Sequence, residues 1–116
     1  FGAGEAAAGL RQALALGACL AAVTQGERGV LWIESGAAAG LRHLPAYAVR
    51  VVDTLAAGDV FHGAVALELA RGTAPSEALR FANAAAAIKC TRPGGRAGSP
   101  SREEVERFLN QAAPRL

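Results

Sequence analysis

The sequence predicts an α/β fold. Three observations carry that expectation. Helical and extended patterns alternate along the chain; 52% of the 116 residues are hydrophobic, with a formal net charge of +2; and a run of small residues, 53–59, separates an extended stretch from a helical one.

The elements follow in order. Residues 4–16 are rich in Ala and Leu and read as a helix, with Leu10, Ala13, Leu14 and Leu16 near one face and Gly17 as its C-terminal stop. Residues 19–24 are short and apolar and end in Val23-Thr24, which fits a buried strand. Residues 25–29 are a turn, and 30–33 are a second strand, so the pair forms a β-hairpin. Residues 34–40 are a loop. Residues 42–47 and 48–52 read as two extended pieces around Pro45.

Residues 53–58 are a turn. Residues 58–71 then carry helical spacing, with Val60, Ala64, Leu67 and Ala70 on one face and Gly72 as the stop. Ser76 is an N-cap for a third helix running to about Cys90, which contains four successive alanines, 84–87. Residues 92–100 hold three Gly and two Pro and form a loop. Ser101, followed by Glu103 and Glu104, caps a last helix through Gln111 with an apolar stripe of Val105, Phe108 and Leu109.

Composition excludes several classes. The apolar fraction is too high for disorder, and one domain is the natural expectation at this length. Such a chain buries about 65% of its unfolded surface. No apolar run reaches the roughly 18 residues that span a bilayer, and nothing reads as a signal peptide. We therefore expect no membrane partner and a cytoplasmic setting. Cys19 and Cys90 do not make a disulfide scaffold and read as reduced, buried thiols. A charge of +2 is too weak a basis for nucleic-acid binding. Eleven Arg against one Lys, with 29 Ala, fits a GC-rich genome. There is no Met and the first residue is Phe1, so we expect a processed chain or a piece of a longer one.

The only two aspartates of the chain bracket Asp53-Thr54-Leu55-Ala56-Ala57-Gly58-Asp59. The first turn of a helix leaves backbone N–H groups unpaired, with a partial positive charge. Small residues at 56, 57 and 58 let an anion approach those groups. A carboxylate at Asp59 beside the anion can take a proton from a hydroxyl attacking a phosphoryl group, while the amides stabilise the developing charge. A purely structural use of the same residues stands beside this: Asp53 or Thr54 as N-cap, Gly58 as a tight turn, Asp59 as a partner of the helix dipole. The run matches neither the Walker A pattern nor G-x-G-x-x-G.

Val52-Asp53-Thr54-Leu55-Ala56-Ala57-Gly58-Asp59-Val60-Phe61 resembles the C-terminal signature of the ribokinase-like (PfkB) carbohydrate kinases, D-T-x-G-A-G-D-x-F. Val23-Thr24-Gln25-Gly26-Glu27-Arg28-Gly29 resembles that family's V-T-x-G-x-x-G hairpin. Phe81-Ala82-Asn83-Ala84-Ala85-Ala86-Ala87 resembles its alanine-rich helix, and Thr91-Arg92-Pro93-Gly94-Gly95 the loop after it. These matches occur in order and cover nearly the whole chain.

The resemblance implies the ribokinase-like three-layer α/β/α sandwich, with residues 1–116 as its C-terminal, nucleotide-binding portion. It implies transfer of phosphoryl from ATP to a sugar or sugar-like hydroxyl, with Mg²⁺ on the phosphates. Asp59 falls on the family's catalytic base. Ala56, Ala57 and Gly58, with the Asp59 amide, fall on its anion hole. Thr24, Gly26 and Gly29 fall near the ATP phosphates and ribose, and Asn83 with Ala86 or Ala87 on the adenine wall. Asp53 and the Leu55 carbonyl fall where many members hold a monovalent cation such as K⁺, with carbonyls of the 90–98 loop. One departure stands inside the motif, Ala56 in place of the first Gly. If that position needs a positive φ, Ala costs about 1 kcal/mol or more.

The family's N-terminal glycine-rich signature, sugar contacts and lid have no match here, which makes the chain resemble the last third of such a kinase. Two rival readings remain: a nucleotide-binding piece with no activity of its own, and a family member acting on a nucleoside or vitamin precursor. The expected partners are ATP or ADP, a sugar-like substrate, and the missing N-terminal half or further copies of the chain. A parallel sheet cut from its neighbours leads us to expect that the isolated chain associates or needs the missing half. His43 and His62 read as structural or surface residues, Trp32 as a core aromatic, Arg92 and Arg96 either as phosphate contacts or as residues of a solvated loop, and Glu103, Glu104 and Glu106 as an exposed helix face.

Overall fold

The computed structural model describes residues 3–36 and 40–111. Where length suggests one domain, the chain divides into two compact units, Phe1–Pro45 and Ala46–Leu116.

The first unit is a helix on an antiparallel sheet. Helix α1 spans Ala3–Ala15 and packs on strands β1 (Leu20–Thr24) and β2 (Val30–Glu34). It ends as expected at Gly17, where φ is +109°. The Gly17 amide donates to Leu14 O at 3.0 Å and the Ala18 amide to Ala13 O at 3.1 Å. This paired closure satisfies carbonyls that the last turn leaves open. Its buried side chains are Ala6, Ala7 and Leu10, whereas Leu16 is 79% exposed because it lies beyond the last helical turn.

β1 and β2 form the expected hairpin, with Ala22 opposite Trp32 and Thr24 opposite Val30. A 3₁₀ turn, Gly26–Arg28, joins them. Of the two extended pieces expected after it, Arg42–Leu44 is strand β3, paired antiparallel to β2; residues 48–52 form no strand. The described sheet is therefore an antiparallel meander in the order β1-β2-β3, not a cut parallel sheet. Short connections return the chain beside the strand it has just left, and that geometry is antiparallel. Trp32 is buried as expected and carries the Arg42 guanidinium 5.1 Å above its ring centre. His43 donates from Nε2 to the Arg28 carbonyl at 2.6 Å. Residues 37–39 of the expected 34–40 loop lie outside the described residues.

The second unit is helical. Helix α2 (Ala57–Ala70) packs along α3 (Pro75–Cys90), and α4 (Arg102–Gln111) packs on α3. Ala82, Ala84 and Ala85 of α3 are wholly or nearly buried. Small side chains there let neighbouring elements approach the α3 backbone. Tyr47, Ala84, Ala85, Ile88 and Val105 form the core, with Val60, Ala64, Phe81, Phe108 and Leu109 packed around it. Tyr47 meets Phe108 edge to face at 5.0 Å.

Several boundaries differ from expectation. The N-cap of α2 is Ala56, not Asp53 or Thr54; the Asp53 carboxylate folds back onto the Leu55 amide at 2.9 Å instead. On α2 the buried residues are Phe61 and Glu68, while Leu67 is 54% exposed. α3 starts one residue before Ser76, because Pro75 takes the first helical position and Ala74 the cap. Gly72 stops α2 as expected, with the Thr73 amide on Glu68 O at 3.0 Å. Both cysteines are free, but Cys19, lying just before β1, is exposed rather than buried.

The last helix is capped as its sequence indicates. The Glu104 amide donates to Ser101 Oγ at 3.2 Å, and Glu104 Oε1 accepts from the Ser101 amide at 2.9 Å. Glu104 is not simply an exposed glutamate, since it also pairs with Arg92. That guanidinium, followed by the Ser101 amide, lowers the Glu104 carboxyl from its ordinary 4.5 to about 2. A carboxyl lowered by folding contributes stability above its unfolded value and loses it as pH falls through the folded one. Melting temperature is thus expected to drop as pH falls from 4.5 towards 2, and Glu104→Gln to flatten that drop. A profile identical in the variant and the parent contradicts the assignment.

Candidate active site

The site grows from the turn that feeds α2. Three links tie residues 52–55 to the end of α3 and the loop beyond it. Cys90 O accepts from the Val52 amide at 2.7 Å and from the Asp53 amide at 3.1 Å. The Asp53 carboxylate accepts from the Leu55 amide at 2.9 Å and from the Gly94 amide at 3.2 Å. Those two amides, Leu55 first, hold the Asp53 carboxyl below its ordinary value. Lys89, 0% exposed, donates from Nζ to Asp53 O at 2.9 Å and to Arg92 O at 3.0 Å. Sequence reasoning passed over Lys89, although being the only lysine beside eleven arginines was a signal.

The clasped turn delivers the chain into α2 through Ala56, at φ 66° and ψ 5°. Ala56 is the only non-glycine at positive φ among the described residues. A side chain there costs about 1–2 kcal/mol, whereas glycine costs about 0.5–1 kcal/mol in unfolded-state entropy. Ala56→Gly is therefore expected to raise stability by about 0.5–1 kcal/mol, read as a small rise in melting temperature. An unchanged or lower melting temperature contradicts strain at this residue.

The first turn of α2 then offers its amides. Ala57 N–H closes the turn onto Thr54 O at 3.1 Å. The Ala56, Gly58 and Asp59 amides have no protein acceptor among the described residues. So the run 56–58 does present donors, but Ala57 is already engaged. Asp59, the third residue of α2, is exposed and its carboxylate has no hydrogen-bond or ion-pair partner among the described residues. His62, one turn on, donates from Nδ1 to Gly58 O at 2.7 Å and is exposed.

The remaining candidates are divided between the units. Asn83 is buried on α3, with Ala86 and Ala87 half-buried one turn further along. In the first unit, Thr24 ends β1 and is exposed, and Gly26 and Gly29 hold positive φ of 57° and 89° in the hairpin turn. An open recess of about 280 Å³ there is lined by Val23, Thr24, Gln25 and Arg28. Arg28 is a cation that sequence reasoning did not single out. Of the arginines weighed for phosphate, Arg92 is committed to Glu104 and to Gly98 O. Arg96 is exposed.

The Asp53 carbonyl is poorly placed to ligate an exchangeable monovalent cation. The Asp53 carbonyl already receives the Lys89 ammonium, and a second cation on that oxygen would face a like charge at close range. Among the described residues there is no group of three or more His, Cys, Asp or Glu that could hold a metal, and no helix long and apolar enough to cross a membrane.

Known proteins resemble this chain in sequence and fold. The sequence profile of the pfkB family carbohydrate kinases matches residues 3–102. A ribokinase of Bacillus subtilis is 40% identical over 103 residues, 87% of this chain and 33% of its own length. The structure of Arabidopsis thaliana ribokinase complexed with ribose and ATP superposes with a TM-score of 0.75 at 31% identity, over 85% of this chain and 31% of that one. A putative ribokinase II from E. coli, in complex with ATP and Mg²⁺, gives a TM-score of 0.77 at 30% identity, over 87% and 33%. The chain thus spans about a third of the length of these relatives, and its fold is part of the ribokinase-like α/β fold. On the profile match, the ordered motifs and these structural likenesses, the chain belongs to the pfkB family of carbohydrate kinases.

Proposed function

We propose that the protein transfers the γ-phosphoryl group of ATP to a hydroxyl of a sugar or sugar-like compound. The observation that carries this reading is the start of α2. There an exposed carboxylate, Asp59, and the amides of Ala56, Gly58 and Asp59 stand on one turn, none of them with a partner among the described residues. Asp59 takes the proton of the attacking hydroxyl, and the amides, with the positive end of the α2 dipole, bear the charge that develops on the transferred group. Bound to the nucleotide's own phosphate oxygens, Mg²⁺ would supply neutralisation of their charge.

Thr24, Gly26 and Gly29 serve the phosphates and ribose of ATP in this reading, and Asn83, Ala86 and Ala87 its adenine. Glycines at 26 and 29 suit that task because the backbone there is bare and at positive φ. Residues 1–116 are then the nucleotide-binding, C-terminal portion of the kinase domain, and selection of the sugar belongs to the rest of the relatives' length. The apolar side chains of Val51, Val52, Leu55, Leu67 and Leu69, all exposed, suit a chain that packs against further protein. The ribokinase relatives make ribose the first acceptor to try. The test is ADP release by the protein in its complete encoded length, with ATP, Mg²⁺ and a panel of pentoses and hexoses. Release that depends on a particular sugar supports the reading; release indifferent to every sugar of the panel removes it.

A further inference from the structure

Among the described residues, Lys89 is the only side chain longer than Leu that is wholly buried, and no carboxylate forms an ion pair with it. Its two acceptors are backbone carbonyls, Asp53 O and Arg92 O, which lie on either side of the clasp. A buried charge without an ion pair is costly and persists only where its surroundings supply compensating oxygens. Here they are those two carbonyls, at 2.9 and 3.0 Å, the negative end of the α3 dipole, since Lys89 lies in the last turn of that helix, and the Asp53 carboxylate acting from beyond ion-pair distance. Backbone carbonyls converging on one desolvated cation are the ligand set that proteins use for alkali cations. The stem is as tightly held as the head: a Cβ at Gly98 would lie 3.1 Å from Lys89 Cδ. A planar arginine fork, the cation this chain uses elsewhere, does not fill such a point site.

We infer that the Lys89 ammonium is a built-in monovalent cation, locking the 53–55 turn to the 92–94 loop and so positioning the first-turn amides of α2. Lys89 is thus a positioning residue for the anion hole, an inference whose catalytic half rests on the proposed function. The protein has no use for added K⁺ at this point, because the charge is carried on the chain.

Thermal melting and ATP titration calorimetry, on the protein in its complete encoded length, test this in choline chloride, NaCl and KCl at equal ionic strength. The unaltered protein is expected to melt at the same temperature, within about 1 °C, in all three salts. A saturable, K⁺-specific rise overturns the inference, because the carbonyls would then be open to a free cation. Lys89→Ala is expected to melt lower in choline chloride and to bind ATP at least about tenfold more weakly. KCl or NH₄Cl is expected to recover part of both losses, a cation-specific rescue that loss of packing alone does not give. A Lys89→Ala protein indistinguishable from the parent, or one not rescued by any cation, overturns it as well. Lys89→Arg is expected not to restore the parent's behaviour. If Lys89→Ala yields no folded protein, the salt series on the unaltered protein decides. The melting readout needs no turnover, so salt indifference together with absent sugar-dependent ADP release sinks the proposed activity and leaves the cation assignment standing.

Discussion

Asp59→Asn is expected to lower kcat by about 10²–10⁴-fold in the full-length protein while leaving the Kd for ATP nearly unchanged. The substitution keeps size and shape and removes only the ability to accept a proton. Asp59 is exposed and has no hydrogen bond or ion pair among the described residues, so the folded state loses only the favourable placement of a carboxylate at the positive end of the α2 dipole. The amides of Ala56, Gly58 and Asp59 are backbone groups and survive the change, which is why nucleotide affinity should survive with them. Unchanged turnover removes Asp59 from the role of base. Loss of ATP binding in step with turnover makes it a binding group instead.

The second large effect is on stability. Glu68 is 5% exposed on α2, with its carboxylate paired to Arg102 of α4, 3.8 Å from Arg71 Nε and within reach of Thr73. The Arg102 guanidinium, ahead of every other influence, lowers the Glu68 carboxyl below its ordinary value. Arg102 also lies 4.7 Å over the Phe81 ring of α3, so one side chain joins three helices. Arg102→Met leaves a buried carboxylate without its main partner and is expected to lower the melting temperature by many degrees. Replacing both members, Glu68→Leu with Arg102→Met, is expected to recover most of that loss, because desolvating two charges offsets much of what their pairing contributes. A double variant that melts no higher than Arg102→Met shows that the packing of Arg102, and not the stranded charge, carries the effect. Both glutamates lowered by folding, Glu68 and Glu104, contribute above pH 4.5 and lose their contribution as pH falls below it.

What could be read in advance was what local rules determine. Gly17 and Gly72 end their helices and Ser101 and Glu104 form the capping box by interactions within a few residues, and residues 20–34 make a hairpin between strands adjacent in the chain. The run 53–59 was readable for the same reason, since a strand-like stretch, small residues and a helix start are adjacent in the chain. The cost foreseen for Ala56 is present, at φ 66°. The residues missed depend on partners far away in sequence. Glu68 looks like any surface glutamate until Arg102, 34 residues on, is beside it. Lys89 looks like the polar end of an alanine-rich helix until Asp53, 36 residues earlier, offers its carbonyl. Arg92 reads as a free cation in a glycine-rich loop until Glu104 takes it. The cap at Ala74 instead of Ser76 is a competition between two local preferences, which proline's fixed φ at the first helical position wins.

The central claim is that acceptor-free amides at the start of α2 hold the transferred phosphate. Backbone amide chemical shifts, followed while ATP with Mg²⁺ is titrated into the full-length protein, address it directly. The expected result is large, saturable shifts at Ala56, Gly58 and Asp59, accompanied by Thr24 and Gly26, with Ala57 moving less because its N–H is bonded to Thr54. Saturable ATP binding that leaves the amides of Ala56, Gly58 and Asp59 unmoved contradicts the account.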